Sequence, residues 1–269
     1  MKYKTAQDLN ILGQFLGKRD IMCPRKQELK NKYNIDKADV MVLFGGSIIC
    51  GGDVLADAMK NDIAEKYIIV GGAGHTTETL RIKVHEEYPE IETKDLSEAE
   101  IFSLYIKYKY SLEPDYLECN STNCGNNITN LLDLLNENNI EFKSIILSQD
   151  ATMQRRMEAV LRKYVDEDVE IINFATYEAK VIEKDNELEF EFDIPGMWDM
   201  ERYITLLMGE IPRLTDDKDG YGPNGKGYIA HVDIPDEVMQ AFSELKEIYG
   251  ESIREANPMY GTKKNNENQ

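Results

Sequence analysis

Metal- and redox-active side chains are scarce in this chain, with three histidines and four cysteines in 269 residues. Cys119 and Cys124 have no second Cys or His pair beside them, so no zinc site is expected. Together with Cys23 and Cys50 they read as thiols of a reducing compartment. No apolar run approaches the roughly 18–20 residues of a spanning helix. The start, Met1-Lys2-Tyr3-Lys4-Thr5-Ala6, lacks the apolar centre of a signal peptide, which implies a cytoplasmic protein with no membrane partner. Basic residues are outnumbered, 31 Lys and Arg against 50 Asp and Glu. The resulting net charge of −19 repels nucleic acid at long range. Several motifs are missing too. There is no G-x-x-x-x-G-K-[ST] and no G-x-S-x-G. Gly72-Ala73-Gly74 lacks the third spaced glycine of a dinucleotide fingerprint, and Gly45 and Gly46 lack the acidic setting usual in Rossmann methyltransferases.

What remains has a clear rhythm. Tyr67-Ile68-Ile69-Val70 reads as a buried strand and runs straight into Gly71, Gly72 and Gly74, then His75 and Thr76. Residues 40–44 run likewise into Gly45-Gly46-Ser47, and residues 144–147 into Ser148-Gln149-Asp150. Amphipathic segments alternate with these strands to about residue 173, which predicts α/β with a mostly parallel sheet. Strands ending in small residues imply a cleft at the sheet's carboxyl edge, with glycine N–H groups at helix starts offering an anion site. A tight turn without a ligand accounts for any one such glycine pair.

Other candidates cluster around the same edge. Residues 118–127 are dense in short polar side chains, and Ser121, Thr122, Asn123 and Asn127 are read as ligand contacts rather than an elaborate helix cap. Gln149, Asp150 and Arg155, followed by Arg156, form a possible clamp for an anion. A helix start carrying a surface arginine pair accounts for the same residues. Residues 216–225, which include Tyr221, lack the spacing of a calcium loop, and no metal site is assigned. Both chain ends, residues 5–16 and those after about 198, are helical in pattern but have no place in the β–α alternation. They are expected to pack on each other, with residues 213–225 hanging over the cleft as a lid.

Gly71-Gly72 with Gly74-His75 and Thr77, Ser121-Thr122-Asn123-Cys124-Gly125 with Asn127, and Thr152-Met153-Gln154-Arg155-Arg156 together resemble the bacterial SanA/ElyC/YdcF family of domains of unknown function. Glu201-Arg202-Tyr203, Gly209-Glu210 with Pro212-Arg213-Leu214, Asp216-Asp217 with Asp219-Gly220-Tyr221-Gly222-Pro223, and His231-Val232-Asp233 extend the resemblance over about residues 9–240. It implies a Rossmann-like three-layer α/β/α sandwich over residues 36–180. It also implies a small helical domain from residues 1–35 and 195–260; the polar composition of residues 261–269 reads as a disordered tail. It further implies binding of S-adenosylmethionine or a related nucleotide, an enzyme of unestablished reaction, and Glu98 and Glu118 as acid/base groups. Ala151 and Asn126 replace the family's proline and glutamate. The alternatives are a non-catalytic regulatory protein and an enzyme of a phosphorylated envelope precursor.

Overall fold

Alternate residues of the central strands face opposite ways, and the core divides accordingly. Val40, Val42, Phe44, Ile68, Val70, Ile145 and Leu147 are buried in one apolar cluster. Met41, Leu43, Tyr67, Ile69 and Ile146 are buried in another. Strands with both faces apolar need helices on both sides, hence three layers. The computed structural model describes residues 2–46, 48–74 and 76–250. Ser47, His75 and the expected tail lie outside the described residues.

The elements run α1 (Lys2–Leu16), α2 (Lys26–Tyr33), β1 (Ala38–Phe44), α3 (Cys50–Lys60), β2 (Ala64–Val70), α4 (Thr77–Glu87), α5 (Glu98–Tyr110) and β3 (Tyr116–Glu118). Then follow α6 (Cys124–Glu137), β4 (Ser144–Ser148), α7 (Gln154–Arg162), β5 (Glu170–Asn173), β6 (Val181–Lys184), β7 (Glu187–Phe190), α8 (Met200–Leu214) and α9 (Asp236–Tyr249). The first five strands form one parallel sheet in the order β3-β2-β1-β4-β5. This is a Rossmann-like sandwich. Helices α3, α4 and α5 cover one face, α6 and α7 the other, and the winding reverses between β1 and β4. Among the described residues no helix is long and apolar enough to cross a membrane.

Helix α1 packs on α9 and α8 and also on α7 and the β6–β7 hairpin, so its Leu9, Leu12 and Leu16 share one core with the sheet. The segment 19–35, read from sequence as part of this helical unit, goes elsewhere. Ile21 and Leu29 of this segment enter the core of the opposite face. Arg19 bridges Phe174, and Asp20 accepts from both nitrogens of Asn173 at 2.7 and 2.8 Å, which covers the open edge of β5. The acidic run at 183–193 is a hairpin for β6 and β7, turning at Asp185 and Asn186 with φ of 52° and 63°.

Candidate functional site

The carboxyl ends of β2, β1 and β4 lie side by side, leading into Gly71-Gly72, Gly45-Gly46 and Gln149-Asp150. Helix α5 is set against them by its start. Ser97 and Glu100 form a capping box, and the N–H groups of Glu98 and Ala99 donate to the Gly72 and Gly71 carbonyls at 3.0 and 2.8 Å. Glu98 is thereby buried at the strand ends. Its Oε1 accepts from Thr77 Oγ1 at 2.7 Å and from Thr76 Oγ1 at 3.5 Å. Its Oε2 lies 2.5 Å from where a Cβ at Gly45 would be. Burial raises the Glu98 pKa, opposed in part by the two threonine hydroxyls and Arg81. A desolvated carboxyl at a strand-end cleft suits proton transfer.

Glu118 plays another part. Its Oε1 accepts from the Asn120 N–H at 2.7 Å and from Asn130 Nδ2 at 3.0 Å, and its Oε2 from the Ser121 N–H at 3.3 Å. The carboxylate shapes the loop after β3, and both oxygens are engaged in doing so. Of the two carboxyls expected as acid/base groups, Glu118 is thus the one tied into its own loop. The same loop largely serves itself. Asn123 caps α6 by accepting from the Asn126 N–H at 3.0 Å, and Asn126 Oδ1 accepts from Asn123 Nδ2 at 2.7 Å and Thr122 Oγ1 at 3.3 Å. Ser121 Oγ accepts from the Gly72 N–H at 3.2 Å. Helix α6 begins at Cys124, so Asn127, half-buried, stands in its first turn. Burial pushes the Cys124 thiol up despite Arg156 nearby, which keeps it inert.

The glycines also act otherwise than expected. The N–H groups of Gly45, Gly71, Gly72 and Gly74 donate to Val70 O, Glu118 O, Ser121 Oγ and Thr77 Oγ1, and so form no open anion nest. Positive φ among the described glycines occurs at Gly196 and Gly227, not here. These residues are small because neighbouring strand ends approach closely. A Cβ on Gly71 would lie 3.0 Å from the Gly45 Cα, and one on Gly72 would strike the Ser121 carbonyl. Gly46 differs, for its nearest neighbour in that direction is Gln149 Oε1 at 3.7 Å.

Across the winding reversal, Gln149 Oε1 accepts from the Asp150 N–H at 2.6 Å. Asp150 Oδ1 accepts from the Thr152 N–H and Oγ1 and from Tyr177 OH, at 2.9, 2.7 and 2.7 Å, and Oδ2 from Trp198 Nε1 at 3.1 Å. Burial raises the Tyr177 pKa well above normal and keeps it a phenol donor. Gly46, Ile48, Phe102, Gln149, Asp150 and Thr176 enclose about 10 Å³, room for about one water. The arginine pair is no clamp. Arg155 Nε donates to the Phe15 carbonyl at 2.6 Å with its guanidinium over the Phe15 ring, and buried Arg156 pairs with Glu210 at 2.5 and 2.9 Å.

After the loop with Tyr221, Lys163 Nζ donates to Gly227 O and the Ala230 N–H to Ala159 O, which ties the chain beyond the loop to the C-terminal half of α7, while Tyr221 lies near buried Arg156 in that helix's first turn. His231 closes this loop between Asp216 and Asp233, at 2.7 and 3.1 Å. Residues 194–199 pass over the strand ends, and Trp198, the chain's one tryptophan, which the sequence pattern assigns to the start of a helix, donates to Asp150 before α8 begins at Met200. No family model matches the chain.

Proposed function

We propose that the chain binds a small molecule of positive or zero net charge at the ends of β1, β2 and β4. S-adenosylmethionine, implied by the resemblance to the SanA/ElyC/YdcF family, is the candidate, and Glu98 is the group that moves a proton. The supporting observation is electrostatic. The carboxyls of Glu98 and Asp150 are buried at this edge, while the basic side chains around it are already engaged. Arg155 and Arg156 hold α1 and Glu210, Arg19 holds Ala175 O and Glu178, Arg81 holds Leu96 O, and Lys83 holds Gly196 O. A phosphate would meet little compensating charge there, whereas a sulfonium would meet carboxyls. This runs against the phosphorylated envelope precursor. With Glu118 and Asp150 engaged, catalysis falls to Glu98 alone, so binding without turnover is the second reading. The charge pattern also fits a cytoplasmic metabolite ligand better than an anionic surface.

Calorimetry with S-adenosylmethionine, its uncharged-sulfur analogue S-adenosylhomocysteine, and ATP tests the reading. The sulfonium compound is expected to bind most tightly and ATP least. ATP binding as tightly, or no heat with the sulfonium compound, refutes it. Product analysis with wild type and Glu98→Gln then separates enzyme from binder.

A further inference from the structure

Residues 194–199 cross the carboxyl edge without regular secondary structure. Ile194, Pro195, Gly196 and Met197 form a tight turn, closed by the Met197 N–H on Ile194 O at 2.9 Å, with Gly196 at φ 75°. Proline second and a left-handed glycine third are the residues a type II turn requires, so the tip is stiff and moves as one piece. The next residues are Trp198 and Asp199, and Asp199 caps α8 by accepting from the Arg202 N–H at 2.7 Å. On the Rossmann-like body, Gly196 rests on Ile49, Gly196 O accepts from Lys83 Nζ at 3.1 Å, and Trp198 Nε1 donates to Asp150 Oδ2 at 3.1 Å, while Ile194, Met197 and Trp198 pack half-buried against the core. The turn is open on one side. An opening of about 380 Å³ lies between Gly196 and Ile49 on one side and Leu80, Lys83 and Val84 of α4 on the other. A stiff turn unbacked on that side has room to swing.

Asp150 gives this segment its meaning. Its Oδ1 is filled by Thr152 and Tyr177, donors that belong to the ends of β4 and β5. Among the described residues its Oδ2 receives its bond from the crossing segment, and the small cavity at Gly46 and Thr176 is walled by this same side chain. We infer that residues 194–199 are a self-closing strap. The Trp198 indole N–H occupies on Asp150 Oδ2 the position that an N–H or O–H donor of the ligand takes when the strap swings out. The ligand half of this inference rests on the proposed function, and the mobility half does not. Asp150 is then a binding residue, closed in the empty protein by an internal competitor.

Trp198→Phe tests this, because phenylalanine keeps an aromatic ring beside Lys83 and Arg202 but has no N–H to donate. The variant is expected to bind S-adenosylmethionine about threefold to tenfold more tightly by calorimetry, since less of the protein is held closed. In wild type the single tryptophan should shift its emission on binding. Without ligand, amide exchange across 196–198 should be far faster than in β1, and faster again in the variant. Equal or weaker binding by the variant overturns the competitor role. Exchange at 196–198 as slow as in β1 makes the segment a fixed wall and overturns the strap. Binding by neither protein instead strikes the proposed function, and the exchange data then decide the strap by themselves.

Discussion

At position 72 an added carbon has nowhere to go. It would lie 2.8 Å from the Cys119 carbonyl oxygen and closer still to that of Ser121, and these neighbours are backbone, which does not rotate away. Gly72→Ala is therefore expected to destabilise the fold by roughly 1–3 kcal/mol, read as a lower urea midpoint. Wild-type stability would show that the loop after β3 yields easily. Glu98 makes a pH-dependent prediction. Its folded-state pKa is raised by burial, so its favourable contribution is complete below the ordinary glutamate range and is lost as pH climbs through the raised value. Glu98→Gln, which stays neutral, should gain on wild type as pH rises above the ordinary glutamate range, by at most about 1.4 kcal/mol per pH unit. Parallel stability curves for the two proteins would mean that the carboxyl ionises freely in place. The glycines were legible in the sequence as strand ends, but not their purpose. A glycine chosen for left-handed φ and one chosen for close approach look alike in one dimension. The engagement of Glu118, Arg155 and Arg156 was hidden for a related reason, since their partners are backbone groups or, in Asn130 and Glu210, residues 12 and 54 positions away.

Among the elements, the β6–β7 hairpin is joined to α1 by two hydrogen bonds from one side chain, besides its apolar packing. Asn10 Nδ2 donates to Val181 O at 2.8 Å and the Val181 N–H donates back to Asn10 Oδ1 at 2.7 Å. Asn10 thus acts as a further rung on the hairpin's edge. Asn10→Ala leaves both groups of a buried residue unpaired and should cost about 1–3 kcal/mol, with faster amide exchange at Val181. Unchanged protection at Val181 would mean that the hairpin stands without α1. Strands β1, β2 and β4 could be read from their apolar runs. Helix α2 leaves little apolar signal, because Lys26–Tyr33 buries only Leu29. The first turn of α6, Cys124-Gly125-Asn126-Asn127, is mostly polar and reads like the loop before it. Helix α8 runs through Pro212 to Leu214, where sequence alone would end it early.

For the molecule as a whole, strand order and the partner of each chain end are set by contacts between distant residues, which periodicity does not encode. One such contact has a consequence in time. Helix α1 precedes the sheet in the chain, and α9, against which it packs, is the last of the described elements. Leu9, Leu12 and Leu16 are fully buried in the finished protein, in one cluster with Leu245 of α9. On the ribosome Leu245 is added roughly 230 residues later, which at about 5–20 residues per second is on the order of 10–50 s. Within that interval α7, the β6–β7 hairpin and α8 are made and cover α1 in part, while the side that faces α9 stays open. The seam between α1 and α9 is thus the last of the described ones to close, and a nascent chain halted before α9 would offer that side to a chaperone.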